Sequence, residues 1–495
     1  MPKAATVSLS KSAYLCGLQC HKLLWISSNQ RESIPPPDEQ AQAVFAQGES
    51  VGKLARSLYP DGCVVAEVGM PFTRQVGRSE EALRSRRSLF EATFTFDGCQ
   101  ARADILSPVG KDEWNLVEVK SSTEVKDVNL QDVAFQWHVL TGAGVRLRRC
   151  FLLLINSDYV RHEDIMPSEL FKECDVTALV KELLPGVAAR ARELRRVAEL
   201  KSCLPIPIGR QCDDPFPCPL HDQCWAFLPK QNIFTLYRGG KKSHELFTRG
   251  VLDIGGISDG VKLSDSQTVQ HRAVTTGQAQ VDQRAIANFL KRLKYPLHFL
   301  DFETFATAVP LCEGVRPYQQ IPFQFSLHVQ QDAGAEPEHR MFLADGPADP
   351  RPEFLRALRE AVGPEGSIVA YNASFEKSRL RECAEAFPEF AAWIGRLERR
   401  VVDLWEPFRA FHYYHPDQCG SASMKAVLPA LTGKGYENLA IQDGSTASRE
   451  FLRVTYGQVT AAERRRVRKH LEEYCGLDTE GMVHILRGLE EVTTR

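Results

Sequence analysis

Three groups of side chains in this chain have types and spacings that can do chemistry. The first is Asp104, in QARADIL, followed fourteen residues later by Glu118-x-Lys120 in LVEVK. On a strand, residues two apart share a face, so Glu118 and Lys120 project together while Val117 and Val119 turn to the core. Two carboxylates hold a divalent cation through hard oxygen ligands, and a neighbouring Lys positions or deprotonates a water. That is equipment for metal-assisted phosphodiester hydrolysis. The second group is Asp301-x-Glu303 in HFLDFETF, Glu376 in YNASFEKSRL and Tyr474-x3-Asp478 in YCGLD. Four acids from three separated segments suit a pair of divalent ions roughly 3.5–4 Å apart. Tyr474, one helical turn from Asp478, can orient the attacking water. Asp403, in VVDLW, is the alternative fourth acid. The third group is Cys212-x5-Cys218-x5-Cys224 in a Pro-rich stretch, with a fourth thiol from Cys16 or Cys20. Four thiolates bind Zn²⁺ or an iron–sulfur cluster equally naturally.

The elements that must position these groups are legible from periodicity. A helix is expected over 38–60, from the spacing of Ala43, Val44, Val51, Leu54, Ala55 and Leu58. Strands are expected at 93–106, 114–120 and 147–155. A helix at 129–141, stopped by Gly142 and Gly144, lies between the last two. A charged helix follows at 178–200, then the Pro- and Cys-rich stretch 203–229, which cannot be a regular element. Residues 230–284 are polar, with Gly239, Gly240, Gly255 and Gly256, and read as a linking module of short helices. Further strands are expected at 297–304, 321–330, 339–344 and 366–372, and a final long helix at about 460–489. Both halves alternate strands and helices, so each is α/β in class.

Composition bounds what this equipment can serve. The chain has 495 residues, with Lys+Arg 61 against Asp+Glu 63 and a formal charge of −2. At about 150 residues per domain, two or three domains are expected. The near-zero charge excludes a uniformly basic coat but not local basic grooves. RSRR (84–87), ARARELRR (189–196) and ERRRVRKH (463–470) are such local runs. The run CFLLLI (150–155) falls far short of the roughly 20 residues of a membrane span. The opening MPKAATVSLSKSAY has no apolar signal core, so a cytoplasmic protein with mostly reduced thiols is expected.

The Asp104/Glu118/Lys120 series resembles the PD-(D/E)XK nucleases of the RecB-like branch. That resemblance implies a Gln on the following helix, which Gln136 matches better than Gln131; Leu140 stands where the family has a Tyr. An upstream acid, for which Glu49 and Glu91 are candidates, is also implied. RecB-like nucleases of the AddB and CRISPR-associated kind carry one Cys before the nuclease core and three after it, on a [4Fe–4S] cluster. GLQC-x-K-LLW then points to Cys20 as the first ligand, with Cys212, Cys218 and Cys224 the others; zinc is the alternative. The Asp301/Glu303, Glu376, Tyr474/Asp478 series resembles the DnaQ-like DEDD exonucleases with a Tyr-type third motif, and SMKAVLPAL (423–431) is similar to the helix preceding that motif. Glu376 stands where that family has Asp.

Together the resemblances imply a restriction-endonuclease-like domain with a Cys cluster over 1–229 and an RNase H-like, DnaQ-type domain over 291–495. A helical linker over 230–290 joins them, with LFTRGVLDIGGISD (246–259) resembling a helix-hairpin-helix. The implied activity is metal-dependent DNA cleavage, using Mg²⁺ or Mn²⁺ on single strands or ends. A 3′→5′ exonuclease forms the second half, in DNA processing, repair or anti-phage defence. RNA is a further possible substrate. The alternatives are an RNA exonuclease with a degenerate first half, and a non-catalytic nucleic-acid-binding or assembly factor.

Overall fold

The computed structural model describes residues 8–67 and 69–494; residues 1–7, on which the expectation about export partly rests, lie outside them. The chain divides into two compact units, Met1–Ala226 with Thr307–Tyr318, and Phe227–Ala306 with Gln319–Arg495. Both are mixed α/β. The polar stretch read as a linker falls inside the second unit, where Ile233, Leu236, Leu246, Ile254 and Ile257 form a small core of their own.

In the first unit the described residues form one seven-stranded sheet. Its strands are β1 (Leu9–Ser10), β2 (Cys63–Val64), β3 (Leu89–Phe96), β4 (Cys99–Val109), β5 (Glu113–Val119), β6 (Leu147–Ile155) and β7 (Phe171–Asp175). Neighbours run β2-β3-β4-β5-β6-β7, with β1 parallel to β4. The single strand expected over 93–106 is two strands of a hairpin. Asp97 and Gly98 both have positive φ (43° and 68°), the geometry of a two-residue hairpin turn. The Asp-Gly pair was the signal for that turn. β5 and β6 are parallel and joined by a helix, Asp127–Gly142. Helices α1 (Lys11–Gln19), α2 (Asp127–Gly142) and α3 (Thr177–Ala198) pack on this sheet, as do the helices Glu39–Ala55 and Phe72–Ala82. Gly17 lets α1 close on α3: a Cβ there would sit 2.7 Å from a Leu194 methyl. Residues 307–318 pack into this unit. Ala308 is buried with Val117 and Phe151, Arg161 donates to the Pro310 and Leu311 carbonyls at 2.9 and 2.8 Å, and the Tyr318 hydroxyl donates to the Ser121 carbonyl.

In the second unit β8 (Gln280–Val281) pairs with β14 (Tyr413–Tyr414) as a small ribbon. The main sheet is built from β9 (Leu297–Phe305), β10 (Ile321–Gln330), β11 (Glu338–Leu343), β12 (Ser367–Ala370) and β13 (Val401–Asp403). Its order is β11-β10-β9-β12-β13, with β10 antiparallel to both neighbours and β12 parallel to β9 and β13. Alternation assigns each face of β9 a task. Leu300 and Phe302 turn to an apolar core with Phe325, Leu327 and Phe354, shared with the helices α4 (Arg351–Ala361) and α5 (Ser374–Ala386). Asp301 and Glu303 turn to the opposite face, against which α6 (Gly444–Tyr456) and the long α7 (Ala461–Thr494) pack. Among the described residues no helix is long and apolar enough to cross a membrane.

Candidate functional sites

In the first unit Asp104, Glu118, Lys120 and Gln136 come together where β4 and β5 part. The Asp104 carboxylate accepts the Val119 amide at 2.9 Å. Glu118, almost fully buried, accepts Lys120 Nζ on Oε1 and Gln136 Nε2 on Oε2, both at 2.7 Å. Two residues that sequence reasoning passed over join them. Asp132 lies one turn before Gln136 on α2, so both face the site; it accepts Lys120 at 2.8 Å and Gln136 at 2.9 Å. The Asp-x3-Gln spacing was its signal. Lys11, the first residue of α1, donates to Glu118 Oε1 at 2.7 Å from 107 residues away in sequence, and no local pattern pointed to it. Gln131 turns elsewhere and meets Arg190. Neither upstream acid enters: Glu49 is exposed against Lys53 and Glu91 pairs with Arg56, each at 2.7 Å.

The electrostatics divide the acids. Burial, with the Glu118 charge, pushes the Asp104 carboxyl up to about 7. Burial also resists ionisation of Glu118, but Lys11, Lys120 and the Gln136 amide outweigh it and hold that carboxyl well below its ordinary range. Burial pulls both lysines down, and the surrounding carboxylates more than reverse it, so both stay charged. The buried Gln136 carbonyl has no partner. A carboxylate pair with an unsatisfied amide oxygen beside it fits a hard divalent cation.

Four thiols of the same unit line one cavity: Cys20, Cys212, Cys218 and Cys224, with Ile206, Ile208 and Leu220 beside them. Cys16 is not among its lining residues; Cys20 caps α1 by donating its amide to the Cys16 carbonyl at 2.8 Å. Residues 203–226 contain only short helical turns, at Arg210–Cys212 and His221–Trp225. They are strapped to the N-terminal segment by Gln19, which donates to the Gln211 and Phe216 carbonyls at 2.9 and 2.6 Å. Trp25 donates to the Leu200 carbonyl at 2.8 Å. Burial, reinforced by neighbouring thiols, pushes Cys218 up to about 11. Four thiols around one small cavity fit a thiophilic metal or an iron–sulfur cluster, whose charge would favour the thiolates.

In the second unit Asp301, Glu303 and Asp478 come together, and Glu376 lies within their electrostatic reach. One ligand atom each from Asp301, Glu303 and Cys475 lie within 4.8 Å of one another. Tyr436 donates to Asp478 at 2.6 Å, and Tyr474 also hydrogen-bonds that carboxylate. Lys425 Nζ stands 5.8 and 5.7 Å from the centres of these two rings. Burial and mutual repulsion raise Asp301 and Glu303 well above the ordinary carboxyl value. Burial raises Glu376 to about 8 and Asp478 to about 6. Glu376 is 5% exposed and its Oε2 has no partner. One Asp403 oxygen accepts the Asn372 and Trp405 amides at 2.9 and 3.1 Å, and its charge reaches Glu376. The polar face of β10 ties α7 down, with Gln324 donating to the Leu471 carbonyl at 2.9 Å and Ser326 and His328 meeting Thr479 at 2.6 and 2.8 Å. Thr479 follows Asp478, so these anchors set where that acid points.

The basic runs and the Gly turn are partly consumed by structure. Arg86 donates to the Val109, Gly110 and Glu113 carbonyls, and Arg468 donates to Leu343 and Ala344. The Gly255 amide, which a helix-hairpin-helix would offer to phosphate, is taken by Asp253 at 2.6 Å.

Residues 298–423 match the family described as a domain of unknown function (DUF2779). That match contains Asp301, Glu303 and Glu376 and ends before Tyr474 and Asp478. The chain is similar to an uncharacterized protein of Mycoplasma pneumoniae (the MG366 homolog), 26% identical over 217 residues, which is 39% of this chain and 32% of the relative. It is also similar to the uncharacterized protein MG366 of Mycoplasma genitalium, 25% identical over 228 residues, 41% of this chain and 33% of the relative. The uncharacterized protein UU173 of Ureaplasma parvum is 25% identical over 255 residues, 47% of this chain and 36% of the relative. The chain thus spans about a third of the length of the curated relatives it matches.

Proposed function

We propose that the protein is a metal-dependent nuclease with two hydrolytic centres. The first unit would be a RecB-like PD-(D/E)XK nuclease braced by a [4Fe–4S] cluster on Cys20, Cys212, Cys218 and Cys224. The second would be an RNase H-like, DnaQ-type exonuclease. The observation that carries the proposal is the gathering of Asp301, Glu303, Asp478 and Glu376, acids from three separated segments whose protons are held on by burial and, at Asp301 and Glu303, also by the neighbouring carboxylates. Such a set is costly to ionise without cations and suits two divalent ions. The mixed sheet, with β10 antiparallel between β9 and β11 and β12 parallel to β9 and β13, supports the RNase H-like reading.

Mg²⁺ or Mn²⁺ held by these acids would supply charge to the scissile phosphate and acidity to a water. The chain's own groups do the rest. Tyr474 and Tyr436 fix the orientation of Asp478, and Tyr474 is placed to steer the attacking water. Lys425 offsets part of the acids' charge and is the side chain positioned to meet a phosphate oxygen. In the first unit Asp104 and Glu118 would hold the ion, Gln136 orients Glu118, and Lys120 positions the nucleophilic water.

The test is digestion of 5′-labelled single-stranded DNA, duplex DNA and RNA by the full chain, by Asp104→Asn and by Asp301→Asn. Asp301→Asn is expected to abolish stepwise 3′ shortening and Asp104→Asn the remaining cleavage. Shortening of RNA alone, untouched by Asp104→Asn, would select the RNA exonuclease instead. Intact substrates in all three proteins with Mg²⁺ and with Mn²⁺ would refute the proposal.

A further inference from the structure

The first site contains an ion pair that the Asp/Glu/Lys pattern does not require. Glu118 Oε1 accepts two ammoniums at once, Lys11 and Lys120, each at 2.7 Å. Glu118 Oε2 accepts the Gln136 amide. A carboxylate offers about four lone-pair positions, so Oε1 is filled. Lys11 also stands 3.5 Å from Asp132 Oδ1, while Lys120 holds Asp132 Oδ2 at 2.8 Å. Two ammoniums thus sit among three carboxylates. A divalent ion shared by Asp104 and Glu118 must approach both positive charges, and at Oε1 it must take a lone pair that one of them holds. Lys120 is placed there by the strand that carries Glu118. The two side chains are equally exposed, about 25% and 24%, but Lys11 arrives from a separate helix and is not tied to the strand of Glu118, so it is the ammonium free to leave.

We propose that Lys11 is a built-in counter-ion of the first site: it holds Glu118 and Asp132 while no ion is bound, opposes ion loading, and swings to the substrate phosphate when an ion enters. This rests on the reading of the first unit as a metal-dependent nuclease. Its consequence is that nucleic acid and ion load together, because a phosphate gives the displaced ammonium a new charged partner. The free protein binds the ion weakly and loads it only as substrate arrives.

The test is calorimetric Mn²⁺ titration of the full chain carrying Asp301→Asn and Glu303→Gln, which silence the second acid cluster. Without nucleic acid, Lys11→Met should bind Mn²⁺ at least about tenfold more tightly than its parent, since a dication a few ångströms from an ammonium is repelled by more than the 1.4 kcal/mol of a tenfold change. Lys11→Arg, which keeps the charge, should stay near the parent. A short single-stranded oligonucleotide should tighten Mn²⁺ binding in the parent more than in Lys11→Met. Lys11→Gln provides the same charge removal with a hydrogen-bonding side chain if Lys11→Met melts early. Equal or weaker Mn²⁺ binding in a folded Lys11→Met or Lys11→Gln overturns the counter-ion role. Mn²⁺ binding that survives Asp104→Asn in this background overturns the metal-site reading itself, and absence of binding in both parent and Lys11→Met overturns both.

Discussion

At the scale of residues, the two acid groups ask opposite things of their surroundings. Glu118 is surrounded by donors and held ionised. Asp301, Glu303 and Glu376 have few donors, and burial raises their carboxyls above the ordinary value. That contrast makes two substitutions informative. Lys120→Ala should lower first-site cleavage by about 10²–10⁴-fold, the range for losing a positioned acid–base group. The melting temperature should barely change, because Lys120 is a partly exposed strand-end side chain; cleavage at the parent rate would dismiss it from the site. At the second site, Glu376→Asp should retain exonuclease activity and Glu376→Ala should lose it, since the unpartnered Oε2 is free for a ligand. Asp403→Ala should cost on the order of 1 kcal/mol of stability with activity intact, because its oxygen serves two backbone amides. Silent Glu376→Ala beside a dead Asp403→Ala would reverse these roles. The acids themselves were legible because D-x-E on a strand and Y-x3-D on a helix are short-range patterns. Asp132 was half-legible through its turn of helix. Lys11 was not legible, because a contact spanning 107 residues leaves no trace in local spacing.

At the scale of elements, α1 joins two features. Its first residue, Lys11, sits on Glu118, and its C-cap is Cys20, a wall of the thiol cavity. A ligated Cys20 would therefore fix both ends of one short helix against the domain. The cysteines were legible as a set because a Pro-rich stretch with no periodicity needs some other source of order. The resemblance pointed to Cys20 over Cys16; Cys20 lines the cavity at the end of α1, whereas Cys16 lies inside the helix. The β3–β4 turn was readable in Asp97-Gly98 but was overrun by the apolar alternation on both sides. Anaerobically purified protein is expected to be brown, with broad absorption from thiolate-to-iron charge transfer. Cys218→Ala should lose the colour and precipitate or melt well below the parent, since closing a loop of about 190 residues through a cluster removes much chain entropy. Colourless protein with stoichiometric zinc would keep the four-thiol ring and discard the iron.

At the scale of the whole molecule, a formal charge of −2 hides a strong local imbalance. Buried acids with raised pKa values concentrate in the second unit, and their protonation is coupled to folding. The sign follows from which state holds the protons. Glu376 titrates near 8 in the folded chain and near its ordinary 4.5 when unfolded. Between those values the folded state binds more protons, so stability falls as pH rises. The contribution is complete below about 4.5 and is lost as pH climbs through about 8. Asp478, raised to about 6, adds to the lower part of that window. Each group fully inside its window contributes a slope of about 1.4 kcal/mol per pH unit. Buried His298 and His328, lowered to about 4, act in the opposite sense up to about pH 6.5. Above that, at roughly 2–4 °C per kcal/mol for a unit of this size, the melting temperature in chelator should drop by several degrees between pH 6.5 and pH 8. Saturating Mn²⁺ should remove most of the drop, because cations bound only by the folded state favour the ionised carboxylates. Glu376→Gln should flatten the chelated profile by itself. A chelated melting temperature that rises over this interval, or a slope that Glu376→Gln leaves unchanged, would mean that these carboxyls are already ionised and compensated. The uncompensated carboxyls on which the proposed cation site rests would then be absent.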